Sequence, residues 1–506
     1  MDQWPVFFIL LPFAGALLVL LSALGPAVFS RLLALGTLFA GLLFSVFLYF
    51  GPLSSGEWNY NLGGWPPPWG IEIRINTFLC LMAGLVFFIS FLTLLCAENH
   101  PPKEPQGFQG TSDGLWLLAT GSLIGLLLIR DAFTIYLFLQ LFVVTAGVFI
   151  GGGGSRTWLP AFRFIFWGSA GASFYLLGLV YLYAATGTLH LDDLLAQLLI
   201  SKNFHLIWAS GFFLTAGFSY LLIFSTPVIF SSFLEGISSL FVIFLGSVMV
   251  RVVVFLLFVF YFSVLGIPGL STPLCLTLFE QLTAFFFLLN FWKALREKET
   301  GRAAAYLSVG SLGYVFIGFE LGTSAALAGT LLEILNQILA VAGLFFVSIW
   351  MKKTGGTDDG RAWAGLGWKK PQLAAAFLLF GMGLIGVPPL GGFYGKLYLV
   401  QAAFHQHQWF LTGALLAAYG LGLTYLGKTV GDLFFPPGGS RKKIRPIFLK
   451  AESWKLSSVI VVLALGLLAL GIFHRSLAKN AIVPALPKAF QNLNLPAEPF
   501  SGQEVE

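Results

Sequence analysis

Long apolar runs, broken at intervals by Gly, Pro and charged residues, repeat along this chain from one end to the other. Val6 to Leu24 and Val459 to Ile472 are almost continuously apolar, without the ~10-residue alternation of a membrane barrel strand. A helix needs roughly 20 apolar residues to cross a bilayer, so the pattern predicts a helical membrane bundle. Dividing the runs at Gly/Pro clusters and charges predicts about fourteen spans. They fall near residues 5–24, 28–50, 74–96, 113–129, 131–150, 160–185, 206–226, 238–262, 270–292, 303–321, 324–350, 371–395, 408–432 and 455–474. The fold class is all-α and polytopic.

Composition agrees. Of 506 residues, 57% are hydrophobic and 10% charged, against about 25% charged in a soluble domain. Met1-Asp2-Gln3 lacks the positive region of a cleavable signal peptide, so the first run reads as a retained helix. The net charge of +6 is a matter of orientation and does not require a nucleic-acid partner. If both termini lie outside, nineteen of the 28 Lys and Arg fall in cytoplasmic loops and their flanks and six outside. The remaining three, Arg251, Lys396 and Lys428, lie within spans. An odd number of spans would scramble that separation. Cys80, Cys96 and Cys275 stand alone in apolar stretches, with no spacing that suits zinc or an iron–sulfur cluster, so no metal, cofactor or redox centre is expected in this chain.

Proline adds a second layer. Pro227 is expected to break the seventh span, and Gly386-Val387-Pro388-Pro389-Leu390-Gly391-Gly392 the twelfth. Grouping spans 4 to 8 and 9 to 13 as two five-helix units puts both breaks on the fourth helix of a unit, the pattern of repeat-built transporters whose broken helices flank an ion path. Prolines that merely kink membrane helices are the plainer reading. The chain then divides into 1–112 (three helices and an interfacial loop), 113–262 and 263–435 (the two units) and 436–506 (a last helix and tail). In the loop from Gly51 to Ile73, Gly63-Gly64-Trp65-Pro66-Pro67-Pro68-Trp69 forbids a regular helix and suits a membrane interface. The Pro-rich tail from Pro484 is expected to be poorly ordered.

A charge at the bilayer centre costs at least ~2.5 kcal/mol, so each intramembrane ion is a candidate for function. Asp131, Glu235, Arg251, Glu280, Glu320, Glu333, Lys396 and Lys428 meet that condition. Lys396 leads, because it follows the double-proline break, and a buried lysine can release its proton as a relay requires. The competing reading is a lysine snorkelling from a helix end. Arg251 stays charged, so it can pair with Glu235 or Asp131 but cannot pass protons on. Glu333 lies beside Asn336 and Gln337, which could hold water, whereas Glu320 and Asp131 are near helix ends. Gly381-Met382-Gly383-Leu384-Ile385-Gly386 matches G-x-G-x-x-G, but inside a span with no preceding strand it reads as helix packing. His405-Gln406-His407 has no supporting ligand for a metal, and no nucleophile-and-base arrangement stands out.

Several segments resemble the antiporter-like membrane subunits: the larger subunits of Mrp-type cation/proton antiporters, the proton-pumping subunits of respiratory complex I, and membrane-bound hydrogenase homologues. The resemblance rests on Tyr60-Asn61-Leu62-Gly63-Gly64-Trp65-Pro66 with Gly70-Ile71-Glu72, on Leu176-Leu177-Gly178 and Thr186-Gly187-Thr188, and on Ala305-Tyr306-Leu307-Ser308 with Leu312-Gly313-Tyr314. It rests most specifically on the run from Gly386 to Lys396. The Gly-Gly-Trp-Pro segment leans toward the Mrp D-type subunit.

The resemblance implies fourteen helices with two inverted five-helix repeats and a polar midplane axis. It also implies losses. The family's fifth-span glutamate falls at Gln140, its seventh-span lysine at Tyr220, its eighth-span lysine at Arg251, and its eleventh-span histidine and lysine at Gln337 and Val341. Only the twelfth-span lysine is kept, as Lys396. Losing both members of an ion pair can be near neutral where losing one is not, so the chain reads as having given up its first half-channel. The expected proton path is partial and centred on Lys396, with Glu333, Lys428, Arg251, Glu235 and Asp131 as further candidates.

The function expected is that of a membrane subunit of an ion-translocating complex, an Mrp-type antiporter or an energy-converting oxidoreductase. Its partners would be other membrane subunits, the lipid bilayer, protons and, as an open alternative, Na+. Its place would be the bacterial inner membrane. A non-pumping scaffold in such a complex and a self-contained solute carrier are the competing readings.

Overall fold

The computed structural model describes residues 4–22, 27–51, 53, 56–97, 109–152, 157–201, 203–232, 239–263, 273–355, 366–435, 454–487 and 491. The opening helices are α1 (Trp4–Ser22) and α2 (Ala27–Phe50). A ribbon of β1 (Trp58–Asn61) and β2 (Glu72–Ile75) follows, then α3 (Thr77–Cys96), α4 (Gln109–Leu128), α5 (Ala132–Gly151) and α6 (Trp158–Thr186). The short α7 (Leu191–Ile200) leads to α8 (Phe204–Ser232), α9 (Ser239–Phe244), a π-helical turn at Leu245–Met249 and α10 (Val250–Ser263). The second half holds α11 (Pro273–Arg296), α12 (Thr300–Leu321), α13 (Ser324–Gly355), α14 (Leu366–Lys369), α15 (Pro371–Ile385), α16 (Gly391–His405), α17 (Trp409–Phe434) and α18 (Trp454–Ile472).

Among the described residues, twelve helical stretches are long and apolar enough to cross a membrane. Beside them, α11 occupies the expected ninth span, and the half-length α15 and α16 the twelfth. The helices with the most exposed apolar residues, α1, α2 and α6, lie at the rim, whereas α13 is buried throughout its apolar core. It is the spine against which α12, α15, α16 and α18 pack.

The two proline segments behave differently. Ile385 ends α15 at Gly386, whose φ of +96° is open to glycine, and its N–H closes the helix on Met382 O at 2.8 Å. After Val387, the cis Pro388–Pro389 pair and Leu390, helix resumes at Gly391. The expected break is therefore present, although α16 runs on to His405, ten residues past the boundary expected at 395. By contrast, the helical backbone of α8 continues past Pro227 to Ser232, so the interruption expected at Pro227 is not seen there. A proline inside a membrane helix removes one hydrogen bond, which neighbouring helices can accommodate.

The G-x-G-x-x-G segment is helix packing and a cap. A Cβ on Gly381 would lie 2.9 Å from Leu426 and one on Gly383 2.4 Å from Leu467, so these glycines let α17 and α18 approach α15.

Within the loop expected to cap the interface, an antiparallel ribbon pairs Tyr60 with Ile73 and Asn61 with Glu72. Between the strands, Trp65 and Trp69 are exposed, as interfacial side chains would be. The ribbon is tied to the bundle by backbone bonds, Arg130 N donating to Glu72 O and Leu191 N to Arg130 O, both at 3.0 Å.

Candidate functional site

Three residues of α13, Glu333, Asn336 and Gln337, share one face at i, i+3 and i+4, and all are fully buried. Opposite them α16 presents Lys396, 5% exposed, whose Nζ donates to Glu333 Oε1 at 2.7 Å. The lysine stem passes over Gly386, where a Cβ would come within 2.8 Å of Lys396 Cδ. Its ammonium lies 4.5 Å from the centre of the Tyr314 ring, a cation–π contact from α12. The snorkelling reading is excluded, since the amine points inward to a carboxylate.

The polar chain continues toward the first half. Gln337 Nε2 donates to Glu333 Oε1 at 3.1 Å and to Ser311 O at 2.7 Å, and its Oε1 accepts from Arg251 Nε at 3.3 Å. Arg251, 1% exposed, also donates to Ser308 Oγ and Ser308 O at 3.1 and 3.0 Å, and to Gly246 O. That carbonyl belongs to the π-helical turn, where the wider spiral disturbs the usual i→i−4 bonding. Ser308, Ser311 and Tyr314 recur every third residue of α12 and so line one strip of it.

Asn336 Nδ2 donates to Gly383 O at 3.1 Å, satisfying a carbonyl in the last turn of α15. Three buried oxygens of this group, Glu333 Oε2, Asn336 Oδ1 and Tyr314 Oη, have no hydrogen-bond partner among the described residues. Buried polar atoms of this kind are where ordered water binds. The site can hold a buried ion pair beside a helix break, with room in its bonding for water.

Other expected residues lie elsewhere. Asp131 caps α5, accepting from Thr134 N at 2.6 Å and Thr134 Oγ1 at 2.5 Å, so it does not pair with Arg251. An N-cap acceptor is what the open first turn of a helix needs. Lys428 is exposed and donates to Leu295 O at 2.7 Å and Glu297 O at 3.4 Å, neutralising the carbonyl end of α11 and standing outside the buried chain. Glu320 sits at the end of α12, as expected. Glu235 and the side chain of Glu280 lie outside the described residues. Val341 is buried and apolar on α13. The Tyr220 ring packs against Trp167 and Phe174 of α6 at 5.6 and 5.5 Å, and Gln140 lies partly exposed on α5.

A second cluster, overlooked in the sequence, lies where the ribbon meets α7. His190 Nε2 and Glu72 Oε2 are 2.8 Å apart; Arg74 bridges Glu72 and Asp192; Arg130 donates to Asp192 at 2.8 Å; and Asp193 lies 3.4 Å from His190 Nδ1. Ligand-type atoms of Glu72, His190 and Asp192 approach within 4.8 Å of one another, but two guanidinium groups already hold the carboxylates and would repel a metal cation.

This cluster titrates. The bond to Glu72 raises His190 above its ordinary 6.5, so that contribution is complete below 6.5 and is lost as pH rises through the raised value. Hydrogen bonds from His190 and then Arg74 hold Glu72 below its ordinary 4.5, so its contribution is complete above 4.5 and lost as pH falls through the lowered value. Amide protection factors at residues 72–75 and 188–191, with the base-catalysed intrinsic exchange divided out, are expected to be largest between 4.5 and 6.5. His190→Gln should remove the alkaline limb; an unchanged profile would refute the linkage.

The fold and the site define a class: a multi-pass helical membrane bundle with a buried charge chain ending at a pair of half-helices. The family description "NADH:quinone oxidoreductase/Mrp antiporter, TM" matches residues 130–422. The chain belongs to that family, and within it has relatives of both kinds. The N-type NADH-quinone oxidoreductase subunit of Desulforudis audaxviator is 29% identical over 501 residues, covering 96% of this chain and 98% of the relative. The D-type Na(+)/H(+) antiporter subunit of Alkalihalophilus pseudofirmus is 26% identical over 384 residues, covering 74% and 76%. The lean toward a D-type subunit thus meets a D-type relative, and an N-type relative aligns over more of the chain. The same fold occurs in an archaeal membrane-bound sulfane sulfur reductase (TM-score 0.79, 19% identity, 96% and 97% coverage). It also occurs in the Mrp complex of Dietzia sp. DQ12-45-1b (0.76, 17%, 97% of each chain).

Proposed function

We propose that this chain moves protons through its second half, using the Lys396–Glu333 pair as the group that takes up and releases them. It is related to membrane subunits of ion-translocating complexes, and in this reading it works beside other membrane subunits, in a bacterial inner membrane with both termini outside. Na+ is the alternative ion. Segments 113–262 and 263–435 would be the two repeats, of which only the second conducts.

The observation that carries the reading is an amine and a carboxylate, 2.7 Å apart and buried beside a helix break, with one oxygen of that carboxylate unpartnered among the described residues. An ion pair in a bilayer interior is costly and adds little stability in itself, so its presence favours function. Proton uptake by the complex, reconstituted in proteoliposomes, should fall at least tenfold in Lys396→Ala. Unchanged uptake would leave the second reading, a scaffold that keeps the fold without pumping, which Gln140, Tyr220 and Val341 favour.

A further inference from the structure

We infer that Gln337 is a positioning residue that holds Glu333 toward Lys396 and joins it to Arg251; the inference rests on the function proposed above. The sequence marks Gln337 as polar surface beside Glu333 and as a place where a family histidine is missing, and the structure gives it three partners on three helices. Its carbonyl faces Arg251 Nε, and its amide donates to Ser311 O and Glu333 Oε1. Flipping the amide would turn its NH2 toward a donor and its oxygen toward a carbonyl and a carboxylate, so the network permits one orientation.

Donor counting explains why glutamine suits this place. The partners require one acceptor and two donors from a single side chain. A primary amide supplies both, whereas a neutral imidazole has one N–H and must leave either Ser311 O or Glu333 Oε1 unserved. Beside Arg251, a cationic side chain here would place two positive charges in contact. With Nε2 anchored to the α12 backbone, the bond to Glu333 Oε1 fixes the carboxylate that Lys396 also binds and directs Oε2 away, where it has no partner among the described residues.

The role is tested by rank order in the purified, assembled complex. Gln337→Met keeps length and volume without polarity, and Gln337→His keeps one donor and one acceptor. We expect proton uptake to fall at least tenfold in the Met variant, with the His variant at least threefold above it, and the same order in thermal stability. A space-filling role predicts the opposite, and Met equal to or better than His overturns the inference. Should neither variant assemble, Arg251→Met is added to Gln337→Met: if Gln337 bridges, the double variant regains part of its assembly, because the Arg251 Nε donor that Gln337→Met strands is then gone, while the donors lost to Ser311 O, Ser308 O and Gly246 O keep the recovery incomplete. No recovery overturns the bridge. The stability order is read without transport, so it separates failure of this inference from failure of the proton-path reading, which Lys396→Ala tests alone.

Discussion

Removing Glu333 alone should destabilise the protein far more than removing it together with Lys396. Glu333→Met leaves a buried ammonium with, among the described residues, only the Tyr314 ring and Gly392 O as polar company, the latter at 3.5 Å. Breaking a buried pair from one side costs about 3–5 kcal/mol, because the remaining charge has lost its compensation. Replacing both members with apolar groups of similar volume is often near neutral. The double variant Glu333→Met/Lys396→Met should therefore assemble almost as well as the parent, while conducting no better than either single variant. A four-way cycle of thermal unfolding checks this. A coupling energy below about 0.5 kcal/mol would mean that the two charges do not depend on each other.

The second large effect is steric. An alanine at Gly392 would put its Cβ 2.2 Å from Gly383 O and 2.6 Å from Asn336 Nδ2. One of those atoms is backbone of α15 and the other is already bonded to it, so neither yields without moving the half-helix. Overpacking costs typically about 1–3 kcal/mol and more where backbone must shift, so Gly392→Ala should fall at or above that range and disturb the site. Gly413 in α17 has nothing within 4 Å of its added Cβ, and Gly413→Ala should stabilise by about 0.5–1 kcal/mol. Equal stability of the two variants would refute the close approach at Gly392.

Much of the fold was legible because membrane helices announce themselves by composition. The apolar runs located the helices, and the double proline with its flanking glycines located the break that forms at residues 386–390. Pro227 misled because a proline alone does not say whether neighbours will accommodate its missing bond. Lys396, Glu333 and Arg251 could be picked out as expensive ions, but their order along the polar chain could not. That order depends on α10, α12, α13 and α16 meeting, which no spacing within one helix encodes. Ser308 and Ser311 were hidden for a related reason, since a serine in a helix ordinarily bonds its own backbone. Their three-residue spacing with Tyr314 was the one signal available. Lys428 and Asp131 looked functional by position, but each serves a helix end.

The chain from Arg251 to Lys396 carries a permanent cation at one end and a titratable amine at the other, with a primary amide between them. An amide neither gives up nor takes a proton readily, so it behaves like an insulating bead on a polar wire: voltage is felt across it, but no current flows. In the proton path proposed above, charge at Arg251 biases Lys396, while a proton taken up by the lysine arrives and departs on its own side of Gln337.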